Sequence, residues 1–480
     1  MKKRRGGQGI QQTKDKPKLT STQNSLLAPT RLNYHRTPSP IDLPAEILLI
    51  IFKFAYEQCR TPMSSTSPNH TTQWLNADPL SPSFFPHSIA SVSSFWRDVM
   101  YMEPKFWTRF VVFVGHTNLD EVQTYLDWTK GQLLDIFIIS KCNGGMPPLR
   151  ERNLVESCMQ VLSPHFHRCR TIRISVTLRS SLPRLDHHFC CAALDLTYLR
   201  IDCKINNAVS DSWSNDIAEW SFSSRGLEKL HLDSIYLREA WFRESRWLRI
   251  LPILRKLTIS SGSPSVGKGS TSDQTTLNHV LAVTRAPGQL SSLTIKGPVS
   301  IKYDRITGPY AYYITLKLDG MTQSSVQTFV NAYRPLNLHL RNLAPSFDFD
   351  ILLGGPVRYS MLTLCNCPSF DDGVITWTIW KFYPQLQALN IIDCAKVTPA
   401  ACKSLVENVY QSRVGATSKQ PMRGWPSERT ENPLKTLTVV GGARISAVDR
   451  RWFESRVLNF DWQAAMAGHK PSKYIDSDGE

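Results

Sequence analysis

Several things are missing from this 480-residue chain, and each absence narrows what it can be. No stretch approaches the ~18 to 20 consecutive apolar residues that span a bilayer, and no apolar segment follows the first basic cluster as a secretory leader requires. A chain without membrane contact, working in the cytoplasm or nucleus, is expected. The eleven cysteines are odd in number and irregularly placed, which suits reduced thiols better than a disulfide framework. Zinc-closing pairs are missing too: His165-x-His167-x-Cys169 and His187-His188-Phe189-Cys190-Cys191 carry ligand-type residues without the separated pairs that complete a tetrahedral site. No Gly-x-Ser-x-Gly elbow occurs, and no Cys/His set stands out as nucleophile and base. The loop Gly262 to Gly269 almost spells a phosphate cradle, but Gly269 follows Lys268 where the motif needs Ser or Thr to hold magnesium. The expectation is a protein with no enzymatic activity, no cofactor and no metal.

What is present is a normal globular supply of burial surface, 41% hydrophobic and 10% aromatic, in a chain long enough for two domains or a repeat array. The formal charge of +16 is unevenly spread. Residues 1–40 hold nine bases against one acid and no periodic apolar face, so they read as a disordered basic arm. Its cluster Lys2, Lys3, Arg4, Arg5 is a candidate nuclear import address. Residues 41–110 have five bases against six acids, and the remainder carries +9 over 370 positions, a mild bias that makes nucleic acid an unlikely partner and at most favours an acidic protein surface.

From Ile41 the chain has more apolar surface than one core face needs. Leu43, Ile47, Ile50, Ile51 and Phe54 keep helical spacing, while Leu48, Leu49 and Phe52 are apolar as well, so two faces of one helix call for burial. Pro44 and Glu46 suit its first turn, and Asp42 its cap. Five prolines between residues 60 and 86 predict an irregular loop. A second helix is expected from His87, with Ile89, Val92, Trp96 and Val99 in helical spacing, closed by Glu103-Pro104-Lys105-Phe106-Trp107.

The motif Leu43-Pro44-x-Glu46-Ile47-Leu48-x-x-Ile51-Phe52, followed by Ala90 to Val99 and Pro104 to Trp107, resembles the F-box in the version common among mushroom-forming fungi. The resemblance covers residues 41–110. It implies a helical domain that docks on the Skp-type adaptor, and through it on the cullin, of an SCF ubiquitin ligase. It further implies adaptor contacts at Leu43, Pro44, Glu46, Ile47, Ile51 and Phe52, with Val92, Trp96 and Arg97 mixing core and interface roles. The loop at 60–86 is longer than a compact F-box has, and Ser94 stands where relatives often carry a base.

Beyond residue 110 the pattern apolar-x-x-apolar-x-apolar keeps returning. Clear copies are anchored on Leu199, Leu230, Leu257, Leu293, Leu389 and Leu437, and weaker ones on Phe110, Ile136, Ile172, Leu316, Leu338 and Leu362. Most successive anchors lie ~20 to 30 residues apart, the cadence of leucine-rich repeats, whose short strands supply the alternation. Cys367 and Cys394 stand where such repeats turn inward, and Thr398-Pro399 begins a helix between strands. The array resembles divergent leucine-rich repeats, which together with an upstream F-box implies a substrate receptor that binds a protein target. The segment from Gln411 to Pro433 reads as an insert. Trp241, Phe242, Trp247 and Leu248 suggest a helix packed on the array. The expected fold is therefore α+β: a helical module at 41–110, an irregular α/β solenoid at 111–465 and a flexible tail at 466–480. The competing expectation is a basic repeat scaffold that binds an acidic protein or nucleic acid with no ligase role.

Overall fold

A computed structural model of the chain describes residues 43–60, 85–140, 147–189, 193–207, 224–236, 253–261, 263–264, 290–297, 315–355, 357–379, 381, 385–417 and 434–465. The basic arm with Lys2 to Arg5, most of the proline-rich loop, the 241–248 segment, Lys268 and residues 466–480 lie outside them.

Every repeat anchor read from the sequence sits in a strand. The strands are β1 (Arg109–Phe113), β2 (Leu134–Ile139), β3 (Cys169–Leu178), β4 (Tyr198–Asn206), β5 (Lys229–Asp233), β6 (Lys256–Ser260), β7 (Ser263–Pro264), β8 (Ser292–Lys296), β9 (Thr315–Asp319), β10 (Asn337–Arg341), β11 (Met361–Cys365), β12 (Ala388–Ile392), β13 (Thr436–Gly442) and β14 (Asn459–Ala464). They form one sheet in sequence order, with β7 off the path against β4, and every pairing is parallel. A parallel ladder needs a long crossover between strands, which the 20-to-30-residue cadence supplies. The arrangement is solenoid-like, as expected.

The register is tighter than the uneven spacings suggest. Phe110, Ile136, Ile172, Leu199, Leu230 and Leu257 pair in one row that continues through Leu293, Leu316, Leu338, Leu362, Leu389 and Leu437 to Phe460. The twelve anticipated anchors are all buried, and a second buried row, displaced by two residues, runs from Val112 to Trp462 through the same core. Variable loop lengths are absorbed between strands, so each repeat adds its apolar pair to one continuous stack. The last strand extends the array beyond the expected anchors: Val457-x-x-Phe460-x-Trp462 carries the same pattern with aromatics in place of leucine. Arg450 donates to the Trp462 carbonyl at 2.9 Å, covering part of that edge.

Turns after the strands repeat as well. Gly297, Gly320, Asn342, Asn366 and Asp393 each lie one residue past a strand, with φ between 51° and 90°. Each donates its N–H to a carbonyl of the next strand, as Gly297 does to the Asp319 oxygen at 2.9 Å and Asn366 to that of Ile392 at 2.9 Å. Positive φ favours Gly, Asn and Asp, and only those types occupy these five positions. Asn366 Nδ2 also donates to Asn342 Oδ1 (2.8 Å), and Asn342 Nδ2 to Asp319 Oδ1 (2.7 Å), in a short ladder along the turn edge. Cys367 and Cys394 follow this turn and are buried as expected. Cys365, at the end of β11, is half-exposed because the alternation turns it to the other face.

Ahead of the sheet stand α1 (Ala45–Arg60), α2 (His87–Ala90), α3 (Ser94–Tyr101) and a 3₁₀ turn (Pro104–Trp107). Helices α4 (Leu119–Trp128) and α5 (Pro148–Leu162) pack on the core side of the first strands. Later crossovers include Gln323–Tyr333, Phe349–Leu353, a π-helical turn at Val374–Ile379, Pro399–Thr417 and Ala447–Glu454. Thr398 accepts the Ala401 N–H, and Pro399 opens its helix as predicted. That helix runs to Thr417, so the expected insert begins later than Gln411, and its described part continues the helical crossover.

Two glycine substitutions separate steric from conformational cost. A Cβ on Gly297 would lie 2.6 Å from the Ser261 carbonyl oxygen, whereas on Gly320 it meets nothing nearer than 3.8 Å. Gly320→Ala should lower stability by about 1 kcal/mol from its positive φ alone, and Gly297→Ala by at least about 2 kcal/mol more. Thermal melts of the two variants check this order.

Candidate functional site

The helical module packs α1, α2, α3 and the 3₁₀ turn around Leu48, Phe52, Phe85, Val99, Met100, Phe106 and Trp107. Pro44 stands just before the first turn, its carbonyl accepting the N–H groups of Ile47 and Leu48. Glu46 occupies the first turn as expected. The single second helix expected from His87 is instead two helices. Ser91 and Ser93 divide them: the Ser91 hydroxyl donates back to the Ser88 carbonyl, and Ser93 caps α3 by accepting the Trp96 N–H at 3.1 Å. Trp107 stacks on Tyr125 and meets Trp128 edge-on, and its Nε1 donates to the Met100 carbonyl, so this ring joins the module to the first repeat.

The doubly apolar helix resolves into two faces. Leu48 and Phe52 are fully buried, while Leu43, Ile47, Ile50, Ile51 and Phe54 are exposed, Ile50 by 63% and Phe54 by 64%. Helix α3 and its flanks leave Val92, Phe95 and Met102 exposed as well. The five side chains from Leu43 to Phe54 present on the order of 500 Å², the size of the largest apolar patch on a typical monomer, which is often functional. Of the residues assigned to adaptor contact, Leu43, Pro44, Glu46, Ile47, Ile51, Val92 and Arg97 are exposed. Trp96 is half-buried against Phe52, with ring centroids 5.2 Å apart. Phe52 is the correction: helical spacing puts it on the Leu48 side, four residues on, in the module core and away from the exposed face. Ile50, Phe54 and Phe95 belong to the exposed set, and their helical spacing is the signal for them.

The second surface is the strand face opposite the core. A trough of about 780 Å³ runs across it, lined by side chains from β2 to β13. Seven bases and two carboxylates face it, including Arg173, Lys229, Lys256, Lys296, Lys317 and Arg341 against Glu228 and Asp319. A +9 bias averaged over the array is thus concentrated here, which a net charge cannot reveal. Further in, Arg200 pairs with Asp202 at 2.8 Å, and His231 is buried beside them with Nε2 3.0 Å from the Ser260 hydroxyl. Asp202 stays below its ordinary pKa: burial opposes this, and Arg200 and His231 outweigh it. Burial, helped by Arg200, pushes His231 down to about 3, although Asp202 at 3.8 Å pulls the other way.

The metal-type residues come together differently from their sequence runs. His165 lies against Arg168, and His167 bonds the Pro164 carbonyl. His188 Nε2 instead meets Glu156 at 3.1 Å, with His187 4.0 Å from the same carboxylate. Glu156, on α5, belongs to neither sequence run and approaches only through the fold. The His188–Glu156 contact is a satisfied hydrogen bond of a buried imidazole. The seven cysteines whose side chains are described are free, and among the described residues no helix is long and apolar enough to cross a membrane. No protein-family model matches the chain, and no curated protein matches it.

His231 ties stability to pH. It is neutral when folded and takes a proton near 6.5 when unfolded, so its contribution is full above that value. It is lost as pH falls from about 6.5 toward 3, at no more than about 1.4 kcal/mol per pH unit. Urea melts at pH 7 and pH 5 should show this loss, and His231→Gln should reduce the difference between the two.

Proposed function

We propose that the chain is a substrate-receptor subunit of an SCF-type ubiquitin ligase, with the helical module as an F-box docking on the Skp-type adaptor and the repeats, of leucine-rich type, holding a protein target. One observation carries the reading most: the first helix buries Leu48 and Phe52 inside the module, while Leu43, Ile47, Ile50, Ile51 and Phe54 stay uncovered on its other side. A helix apolar on two sides suits a partner groove, where an amphipathic face is read through anchors at helical spacing. The module is joined to the array by Trp107, Tyr125 and Trp128, so a target on the strand face is held at a fixed place relative to the adaptor. The role is positioning: it raises the effective concentration of target at the transferring subunits.

Co-purification with the Skp-type adaptor tests this. Leu43→Asp with Ile47→Asp should abolish the complex and leave the melting temperature nearly unchanged, since both side chains are exposed. An intact complex would overturn the reading.

A further inference from the structure

Two of the trough's bases stand together without a carboxylate between them. In the parallel ladder Lys229 of β5 stands directly beside Lys256 of β6. Like charges in register repel, and neither amine has an ion-pair or hydrogen-bond partner among the described residues. Elsewhere on this face the compensation is visible: Arg200 has Asp202, and Arg170 has Asp135. The two lysines are a focus where an external anion removes a repulsion that folding leaves in place.

We propose that the trough binds an extended acidic polypeptide segment rich in Asp and Glu, anchored at Lys229 and Lys256. This rests on the receptor reading and names the class of target that such a receptor would take. Three features select that occupant. First, the bases are spread along the sheet, from Arg173 on β3 through Lys229, Lys256, Lys296 and Lys317 to Arg341 on β10. Six ladder steps at ~4.8 Å make a path of ~29 Å, the length of about eight or nine extended residues, whose alternate side chains point the same way. Second, the focus is made of lysines set one per strand, which suits a row of single carboxylates; a phosphate dianion is better met by a gathered arginine fork. Third, single-stranded nucleic acid needs a run of aromatic rings on which its bases stack. Phe137 and Tyr198 line the trough at its β2–β4 end, and Arg109 already covers the first of them. From β5 to β12 the positions on this face carry Lys, His, Thr, Ser, Asn, Asp, Arg, Met, Cys, Ala and Ile, with no Phe, Tyr or Trp.

Fluorescence anisotropy on the full chain tests the proposal with three labelled probes: a 12-residue Asp/Glu-rich peptide, its Asn/Gln counterpart and a 12-nucleotide oligouridine. The acidic peptide should bind with an affinity that falls as salt is raised, and the amide peptide should not bind. Lys229→Glu with Lys256→Glu should weaken binding by at least about tenfold. Arg150→Glu with Arg152→Glu, the same charge change on exposed positions of α5, should change it by less than about twofold. Lys256→Gln gives a milder variant whose thermal melt shows that folding is intact. Absence of binding by the acidic peptide, equal losses in the two double variants, or tighter binding of oligouridine would each overturn the proposal. Because no adaptor is present in this assay, loss of this binding and loss of adaptor docking are read independently.

Discussion

The whole array depends on one geometric constraint, the two-residue period of a strand in a parallel ladder. Once Leu293, Leu316 and Leu338 pair in register, the residues between and beside them have no choice of side. Leu318 and Leu340 go into the stack, while Lys317 and His339 line the trough. A slip of one residue would bury the lysine and expose the leucines, a cost of several kcal/mol per strand, so the apolar stack that stabilises the fold also fixes which side chains face the trough. The turn residues serve the same end. With φ positive at Gly297, Gly320, Asn342, Asn366 and Asp393, each chain segment leaves its strand in the same direction and hands its N–H to the next repeat.

The module obeys a different logic. Its small core is satisfied by Leu48, Phe52 and the aromatics of the 3₁₀ turn, yet the stretch from Leu43 to Phe54 leaves five large apolar residues exposed. None of the five belongs to a core cluster of the described residues. The aromatic cluster of Trp107, Tyr125 and Trp128 meanwhile ties the module to the first repeat, so the exposed face and the trough belong to one connected body. That combination is what the proposed receptor requires, one surface for an adaptor and another for a target.

Much of this is legible in the sequence because it rests on local periodicity. The repeat anchors follow from apolar spacing alone, and α1 carries more apolar residues than one buried face needs whatever the fold around it. Phe52 escapes such a reading because a motif names positions without saying which way they point; its separation of four from Leu48 decides that. The break between α2 and α3 depends on Ser91 and Ser93 bonding to nearby backbone, a competition that apolar spacing does not register. Glu156 beside His188 and Lys229 beside Lys256 arise from long-range pairing, which net charge and linear motifs average away. Val457-x-x-Phe460-x-Trp462 carries the full repeat pattern, hidden by its aromatic form.

The central claim is that α1 has one face for the fold and one for an adaptor. Hydrogen exchange on the full chain, alone and with purified Skp-type adaptor, tests it most directly. The account predicts added protection confined to the helical module, in α1 and the α2–α3 segment, with the strands from β3 to β12 unchanged. Protection on those strands, or none on α1, would contradict it.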